Sequence, residues 1–522
     1  MSSKEKICLV IPPSTFLLDE RVFASLGILK VASSLEERGW AVEVVDLSGF
    51  TNYEEIIRLH AAKTDARIFG ITATTPQMPA ATKVANSIKG ERSDSKIIIG
   101  GPHPTLALAA RHQEQKGNRS GRASNAMNQL LEVFDIIVAG DGEDAIFEAI
   151  KAAQSITNGE VGNKEAPRII DGDNPKGSLF LTNKRLEETP WPARHLIDLP
   201  GYNYEIAGYK ATSLIAQLGC PFACGFCGGR RSPMLRRIRM RSTESIIAEV
   251  RFLYETYGYR GFMFYDDELN VNKKMVELMN GIADLQEEVG EDFRLRGFVK
   301  AELFTQDQAN VMYRAGFRQL LTGFESGSPR ILENMNKKAT RDDNTRAVEY
   351  AKNAGLTVKA LMSCGHPGES YETIQDTKDW LLEVQPDDFD YTIITTYPGS
   401  PYYDDAVETK PGIWTYTYEK TGDKLHAYEL DYRTTADYYK GDPDADGGYK
   451  AYVFTDHISS EDLVKARDGL EREVRTKLNI PFNSSAASVN FEHSMGQGPL
   501  PDHILRATKE KKSRMKVGLT VL

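Results

Sequence analysis

The sequence predicts an α/β protein in three parts: an N-terminal doubly wound, Rossmann-like domain, a partial (β/α)6 barrel, and a mixed C-terminal subdomain. Three observations predict it. Short apolar runs alternate with amphipathic helical stretches twice over, at residues 6–139 and again at 214–395, the pattern of parallel strands with crossover helices. A polar, turn-rich stretch at 151–205, with Gly159, Gly162, Gly172 and Gly177, separates the two series. In both series the strand ends carry glycine, hydroxyl or acidic residues, and such folds bind ligands outside the carboxyl ends of their strands. The boundaries read as 1–155, a linker at 156–205, a barrel at 206–400 and a closing subdomain with tail at 401–522.

Composition narrows the class. The chain has 522 residues, 41% hydrophobic and 26% charged, the balance of an ordinary globular protein. A net charge of −10 argues against a general nucleic-acid surface. Three of the five cysteines sit in one loop, which is no disulfide framework and points to a reducing cytoplasm. Residues 1–6 lack the apolar core of a signal peptide, and no apolar run approaches the ~20 residues that span a bilayer.

In the first third, residues 6–12 (KICLVIP) read as a strand and 26–38 as a helix closed by Gly39. Strands follow at 41–47, 68–73, 96–99 and 135–139, with a helix at 80–89. Residues 111–130 are polar with Gly and Ser, and read as a surface excursion without chemistry. The strand ends are Thr72-Ala73-Thr74-Thr75-Pro76, Gly100-Gly101-Pro102-His103-Pro104-Thr105 and Gly140-Asp141-Gly142-Glu143. All three let a bulky ligand approach the backbone closely. The first strand runs into Pro12-Pro13 rather than G-x-G-x-x-G, which disfavours a nicotinamide dinucleotide.

In the second series, a strand at 214–218 enters Cys220-Pro221-Phe222-Ala223-Cys224-Gly225-Phe226-Cys227, flanked by Gly219, Gly228 and Gly229. Three thiolates in one small loop suit an iron–sulfur cubane, holding three irons and leaving the fourth open. A zinc site needs a fourth ligand, and none follows nearby. Six arginines crowd residues 230–241; in an acidic chain they read as clamps for carboxylate or phosphate groups, or as a solvated face. The strand at 261–265 ends in Asp266-Asp267-Glu268, more acid than core packing explains, though a helix N-cap cluster is the plainer account. Further strand ends carry Lys300-Ala301-Glu302, Glu325-Ser326-Gly327-Ser328, Ser363-Cys364-Gly365-His366-Pro367-Gly368-Glu369 and Tyr397-Pro398-Gly399-Ser400.

Together these motifs resemble the radical S-adenosylmethionine (AdoMet) enzymes that carry a cobalamin-binding domain. That group includes the anaerobic magnesium-protoporphyrin IX monomethyl ester cyclase and cobalamin-dependent methyltransferases. CxxxCxxC with an aromatic, Phe226, before the last cysteine is the superfamily signature. A GGxHxT-like turn is matched at 100–105 and, with one substitution, a GEGE-like turn at 140–143. A GFES-like turn is matched at 323–326 and G-x-P-G-E-[ST] at 365–370. The resemblance implies a [4Fe–4S] cluster on Cys220, Cys224 and Cys227, with Phe226 and Gly228 beside it. It implies AdoMet near Asp266, Asp267 or Glu268, which of the three staying open, and near Glu325, Ser326 and Gly365. It implies cobalamin along Thr72, Thr74, Gly100, Gly101, His103, Thr105, Gly140, Gly142 and Glu143. The chain has no D-x-H-x-x-G, so His103 is expected as a turn residue near the cobalamin tail rather than a cobalt ligand.

The chemistry implied is reductive cleavage of AdoMet to a 5′-deoxyadenosyl radical, hydrogen abstraction, and methyl delivery from methylcobalamin to an unactivated carbon. The substrate class would be a small molecule, a natural-product or lipid intermediate, with flavodoxin or ferredoxin as electron donor and no nucleic-acid partner. Radical rearrangement, dehydration or cyclisation without methyl transfer stays open, as does a non-catalytic cobalamin or AdoMet sensor. Cys364 is the candidate catalytic residue, a thiol expected at the barrel mouth as a hydrogen-atom donor, against the plainer reading of a small buried hydrophobe. Cys8, inside the first strand, reads as core.

Residues 401–460 are rich in tyrosine and acid, and read as either a pocket wall or an irregular subdomain that closes the barrel. Residues 437–448 lack the final Glu of a calcium loop. A charged amphipathic helix at 461–478 and a basic, solvated tail complete the chain.

Overall fold

The computed structural model describes residues 5–14, 20–117, 121–157, 168–435 and 450–480. The calcium-like stretch at 437–448 and the basic tail lie outside the described residues.

The N-terminal sheet has six parallel strands: β1 (Lys6–Ile11), β2 (Ala41–Asp46), β3 (Ile68–Thr72), β4 (Lys96–Gly100), β5 (Ile136–Gly140) and β6 (Ile169–Gly172), in the order β2-β1-β3-β4-β5-β6. Alternation along each strand feeds two cores. Leu9, Ile98 and Val138 pack under α1 (Leu26–Glu37) and α6 (Gly142–Thr157), while Cys8, Phe69 and Ile99 pack under α2 (Tyr53–Lys63), α3 (Met78–Glu91), α4 (Pro102–Lys116) and α5 (Arg122–Val133). The chain reverses direction across the sheet between β1 and β3, the switch point where such sheets open a crevice.

Two expectations change here. Residues 169–172, read as linker, form the sixth strand, so the sheet extends past residue 155. Residues 111–130, read as an excursion, belong largely to α4 and α5; Ala123, Ala126, Met127 and Leu130 recur at helical spacing and are buried.

The second sheet curls into a half-barrel. A hairpin of β7 (Glu205–Ile206) and β8 (Tyr209–Leu214) starts it. From β8 the parallel strands run in chain order: β11 (Gly261–Phe264), β12 (Arg294–Phe298), β13 (Phe317–Glu325), β14 (Thr357–Cys364) and β15 (Asp388–Ile393). Between β8 and β11, the cysteine loop is pinched at its neck by a two-stranded ladder of β9 (Gln217–Leu218) and β10 (Arg239–Met240). The intervening helices start on side-chain caps. Ser242 opens α9 (Thr243–Tyr257), and capping boxes at Thr305, Thr340 and Ser370 open α11 (Gln306–Arg314), α13 (Arg341–Asn353) and α14 (Tyr371–Val384).

Residues 407–454 supply a four-stranded antiparallel sheet, not an irregular segment: β16 (Val407–Lys410), β17 (Ile413–Thr417), β18 (Lys424–Tyr428) and β19 (Val453–Phe454). The helix α16 (Ser460–Leu478) seals the open edge of the barrel at β15, where Arg467 Nε donates to the Tyr391 carbonyl (2.7 Å) and Arg475 pairs with Asp388 (3.0 Å). Among the described residues no helix is long and apolar enough to cross a membrane.

Candidate active site

Glycine shapes the first half of the site. Gly101 sits at φ +97°, where a Cβ would lie 2.7 Å from Thr72 Oγ1, and a Cβ at Gly140 (φ +87°) would collide with the backbone of Gly172. Only glycine takes these turns without strain. Beside them an apolar cavity of about 340 Å³ opens across β3, β4 and β5 and reaches Leu9 of β1. Thr72, Thr74, Gly100, Gly101, Gly140, Gly142 and Glu143 line it on one side; Trp191, Leu218, Met234 and Leu235 line it on the other. The cavity therefore lies between the N-terminal sheet and the segments flanking the cysteine loop.

Two expected members brace the wall instead of lining it. Thr105 Oγ1 donates to the Gly101 carbonyl (2.9 Å) and accepts from the Gly140 amide (2.8 Å), tying two glycine turns together. His103 is buried, bonded to Thr75 Oγ1 (3.0 Å) and packed against Tyr432. Burial lowers its pKa to about 4, so the imidazole is neutral and serves the turn.

Of the arginine-rich stretch, Arg239 and Arg241 turn inward, whereas Arg237 is exposed. Arg239 Nη1 donates to Asp141 (2.6 Å), both side chains at most 3% exposed. Asp173 accepts from Ser232 Oγ (2.8 Å) and the Met234 amide (2.7 Å). Arg194 and Arg241 share the buried Glu249. Asp141 and Asp173 follow Gly140 and Gly172, so the ends of β5 and β6 hold the segment that comes after the cysteines.

The cysteine loop is held from three directions. The Cys220 amide donates to Leu235 O (2.9 Å), the Gly225 amide to Met335 O (2.7 Å), and Asn336 Nδ2 to Ala223 O (2.9 Å). Gly225 and Gly228 lie directly under the rings of Tyr402 and Tyr397, with no room for a Cβ. Phe226 meets His366 edge-on at 5.4 Å. The three Sγ atoms do not gather within 4.8 Å of one another as the donors of a single ion would. Burial raises all three thiols, Cys220 to about 11 and Cys227 to about 12, an effect that metal charge offsets. Three spread thiols on a braced loop fit a cluster.

At the barrel mouth the acids divide. Asp266 spends its carboxylate on the Ala216 and Gln217 amides, and Asp267 takes the Gly219 amide; both fix the approach to the cysteine loop. Glu268 is half-buried, and its Oε2 has no hydrogen-bond partner among the described residues. Burial pushes its pKa to about 7 against the pull of Lys337 and Lys300. Glu325 stands in the left-handed region (φ +67°), a strained setting for a non-glycine residue. It accepts from Ser363 Oγ (2.8 Å) and pairs with Lys337 (3.5 Å). Burial opposes the charge on Lys337, but Glu325, Cys224 and Glu268 outweigh it and raise its pKa. Ser363 also meets His366 Nε2 (2.9 Å), whose Nδ1 meets the Tyr402 hydroxyl (3.3 Å).

Three site expectations are corrected. Asp266 is a backbone brace with both oxygens engaged. Ser326 Oγ is turned to Thr377 (3.0 Å) and the Ser328 amide, inside the turn. Cys364 faces the helix layer, fully buried and hydrogen-bonded to Tyr391, while its neighbour Ser363 faces Glu325. Gly365 (φ +88°) packs against Val453 and Leu463 and gives its amide to Glu369. Lys337 went unmarked in the sequence because it belongs to no recognisable turn, and Ser363 was visible only as the first residue of a polar strand end. Lys300 was visible as a polar strand end without an assigned partner.

Residues 20–118 match the B12 binding domain and residues 214–381 the Radical SAM superfamily. The chain is 28% identical over 419 residues to an uncharacterized methyltransferase of Pyrococcus horikoshii, covering 77% of this chain and 83% of that one. It is 23% identical over 363 residues to the anaerobic magnesium-protoporphyrin IX monomethyl ester cyclase of Cereibacter sphaeroides, covering 68% of this chain and 55% of that one. Its fold is similar to that of the radical S-adenosylmethionine methyltransferase TsrM from Kitasatospora setae, with a TM-score of 0.66 at 16% identity, covering 99% of this chain and 96% of that one. The cysteine loop and the glycine-lined cavity fall where those two domains meet. The chain thus joins a B12 binding domain to a radical SAM domain, and its cofactors are a [4Fe–4S] cluster, AdoMet and cobalamin.

Proposed function

We propose that the protein methylates an unactivated carbon of a small molecule, a natural-product or lipid intermediate. One observation carries this reading: the cavity of the B12 binding domain is walled on its far side by Leu218, Met234 and Leu235, which flank the cysteine loop. Cobalamin held there would face the same barrel mouth that would receive AdoMet. Cys220, Cys224 and Cys227 would hold the cluster. Glu268 and Glu325 would accept the AdoMet amine or ribose, with Lys337 balancing their charge. The glycine turns at 100–101 and 140–142, with Thr72, Thr74 and Glu143, would receive the cobalamin tail. Bound there, the cluster supplies the electron for AdoMet cleavage and cobalamin supplies a transferable methyl group. The chain's own work is to orient both and to keep water out; Tyr397 and Tyr402 pack over the loop for that purpose. An external one-electron donor of the flavodoxin or ferredoxin kind would serve it in a reducing cytoplasm.

The methyltransferase names of the Pyrococcus and Kitasatospora proteins support the reading. The likeness to the cyclase favours a second one, radical cyclisation without methyl transfer. Anaerobic reconstitution with iron, sulfide, AdoMet, reductant and hydroxocobalamin separates them. Retained cobalamin with both 5′-deoxyadenosine and S-adenosylhomocysteine is the expected result. Deoxyadenosine alone, without bound cobalamin, would leave the cyclase-like reading; neither product, with the cluster assembled, would favour a sensor.

A further inference from the structure

The B12 binding domain carries a second group of donors, on the face of its sheet opposite the cavity. Cys8 comes from β1, Glu43 from β2 and His60 from α2. Leu9 lines the cavity, and its neighbour Cys8 therefore points into the other layer, under α2 and α3. Cys8 Sγ lies 3.6 Å from His60 Nε2, and Nε2 lies 3.1 Å from Glu43 Oε2. All three donor atoms fall within 4.8 Å of one another.

Hydrogen bonding alone serves this trio badly. With a proton on Nε2, His60 can donate to Glu43, and the thiol proton finds no acceptor in the trio. Without that proton, Nε2 can accept from the thiol but then faces the carboxylate lone pair to lone pair. A cation among the three removes the conflict. Tetrahedral zinc with bonds near 2.0–2.3 Å sets its donors roughly 3.3–3.8 Å apart, close to the spacing seen. Thiolate and carboxylate together neutralise a divalent ion, and neutral imidazole completes a borderline-soft set. The outer shell is in place as well: Thr64 Oγ1 donates to Glu43 Oε2 (2.6 Å), and Lys6 Nζ takes the other oxygen (3.0 Å). The His60 and Glu43 side chains are about 30% exposed, which leaves a path for entry and a place for water.

We propose that Cys8, Glu43 and His60 form a site for a divalent transition ion of the zinc class, with water as fourth ligand. It is separate from the cluster and cobalamin sites and joins β1, β2 and α2. Binding forms a metal–sulfur bond, displaces the Cys8 thiol proton to solvent and changes no oxidation state.

The test is metal analysis of the full chain with its cluster assembled, after dialysis against micromolar zinc. The expected result is about one tightly held zinc per chain, lost in both Cys8→Ser and His60→Gln, with iron content unchanged. Cys8 is buried and its variant can misfold; His60 is half-exposed and keeps the test open. No zinc in the unaltered chain, or zinc that survives in His60→Gln with iron intact, would overturn the proposal.

Discussion

At the residue scale, three consecutive acids do different work because of what each carboxylate meets. Asp266 accepts two backbone amides, whereas Glu268 keeps one buried oxygen without a hydrogen bond. Glu268→Gln should therefore weaken AdoMet binding by about tenfold or more, the usual consequence of losing a charged partner in a desolvated site, with iron content unchanged. Asp266→Asn should instead lower iron retention, because the approach to the cysteine loop loosens. Equilibrium dialysis with AdoMet and an iron assay separate the two, and equal AdoMet affinity in Glu268→Gln would refute the assignment. Glu369 offers a pH test. Burial pushes its carboxyl up to about 7, against bonds from Thr373 and the Gly365 amide. Its raised folded-state pKa means that its contribution is fully present below pH ~4.5 and is lost as pH rises through about 7. The difference in urea midpoint between Glu369→Gln and the unaltered chain should thus shift in the variant's favour across that window; a difference independent of pH would be the contrary result.

At the element scale, the cysteine loop depends on glycine where ring faces press on it. Gly225→Ala places a methyl group into the buried Tyr402 ring, an overpacking that costs roughly 1–3 kcal/mol. Reconstituted iron per chain should fall, while Gly90→Ala, which meets nothing within 4 Å in α3, should leave it unchanged. Full iron loading of Gly225→Ala would show that the loop has slack. The same scale shows what was legible in the chain. Cys220, Cys224 and Cys227, and the glycine turns at 100–101 and 140–142, stood out because their spacing or residue type answers to one local geometry. The strand β6 did not, since Ile169–Gly172 is short and set in polar sequence, and only its pairing with β5 makes it a strand. The orientation of Cys364 was misread by one position: alternation along β14 sends Ser363 to the site and Cys364 to the helices, and sequence alone left that register open. Lys337 was illegible because its partners Glu325 and Cys224 are distant in sequence.

At the scale of the whole molecule, the separation between the glycine-lined cavity and the cysteine loop is set by side chains that cross the domain junction. Asp141 follows β5 and lines the cavity, while Arg239 follows the cysteine loop at its neck; their ion pair is nearly dry. Asp173 adds a second tie through Ser232 and the Met234 amide. Breaking one half of a buried pair strands the other charge, at a cost of about 3–5 kcal/mol. Arg239→Gln should therefore lower the melting temperature and split a single calorimetric transition in two, as the junction yields before either core. The Asp141→Asn, Arg239→Gln double variant should recover part of the loss, because neither charge is then left unpaired. If the proposed methyl transfer holds, deoxyadenosine formed per methylated product should rise in Arg239→Gln, since the cluster survives while cobalamin is no longer held opposite it. A single unshifted transition with an unchanged product ratio would mean that the linker, rather than the Asp141–Arg239 tie, fixes the distance between the two cofactors.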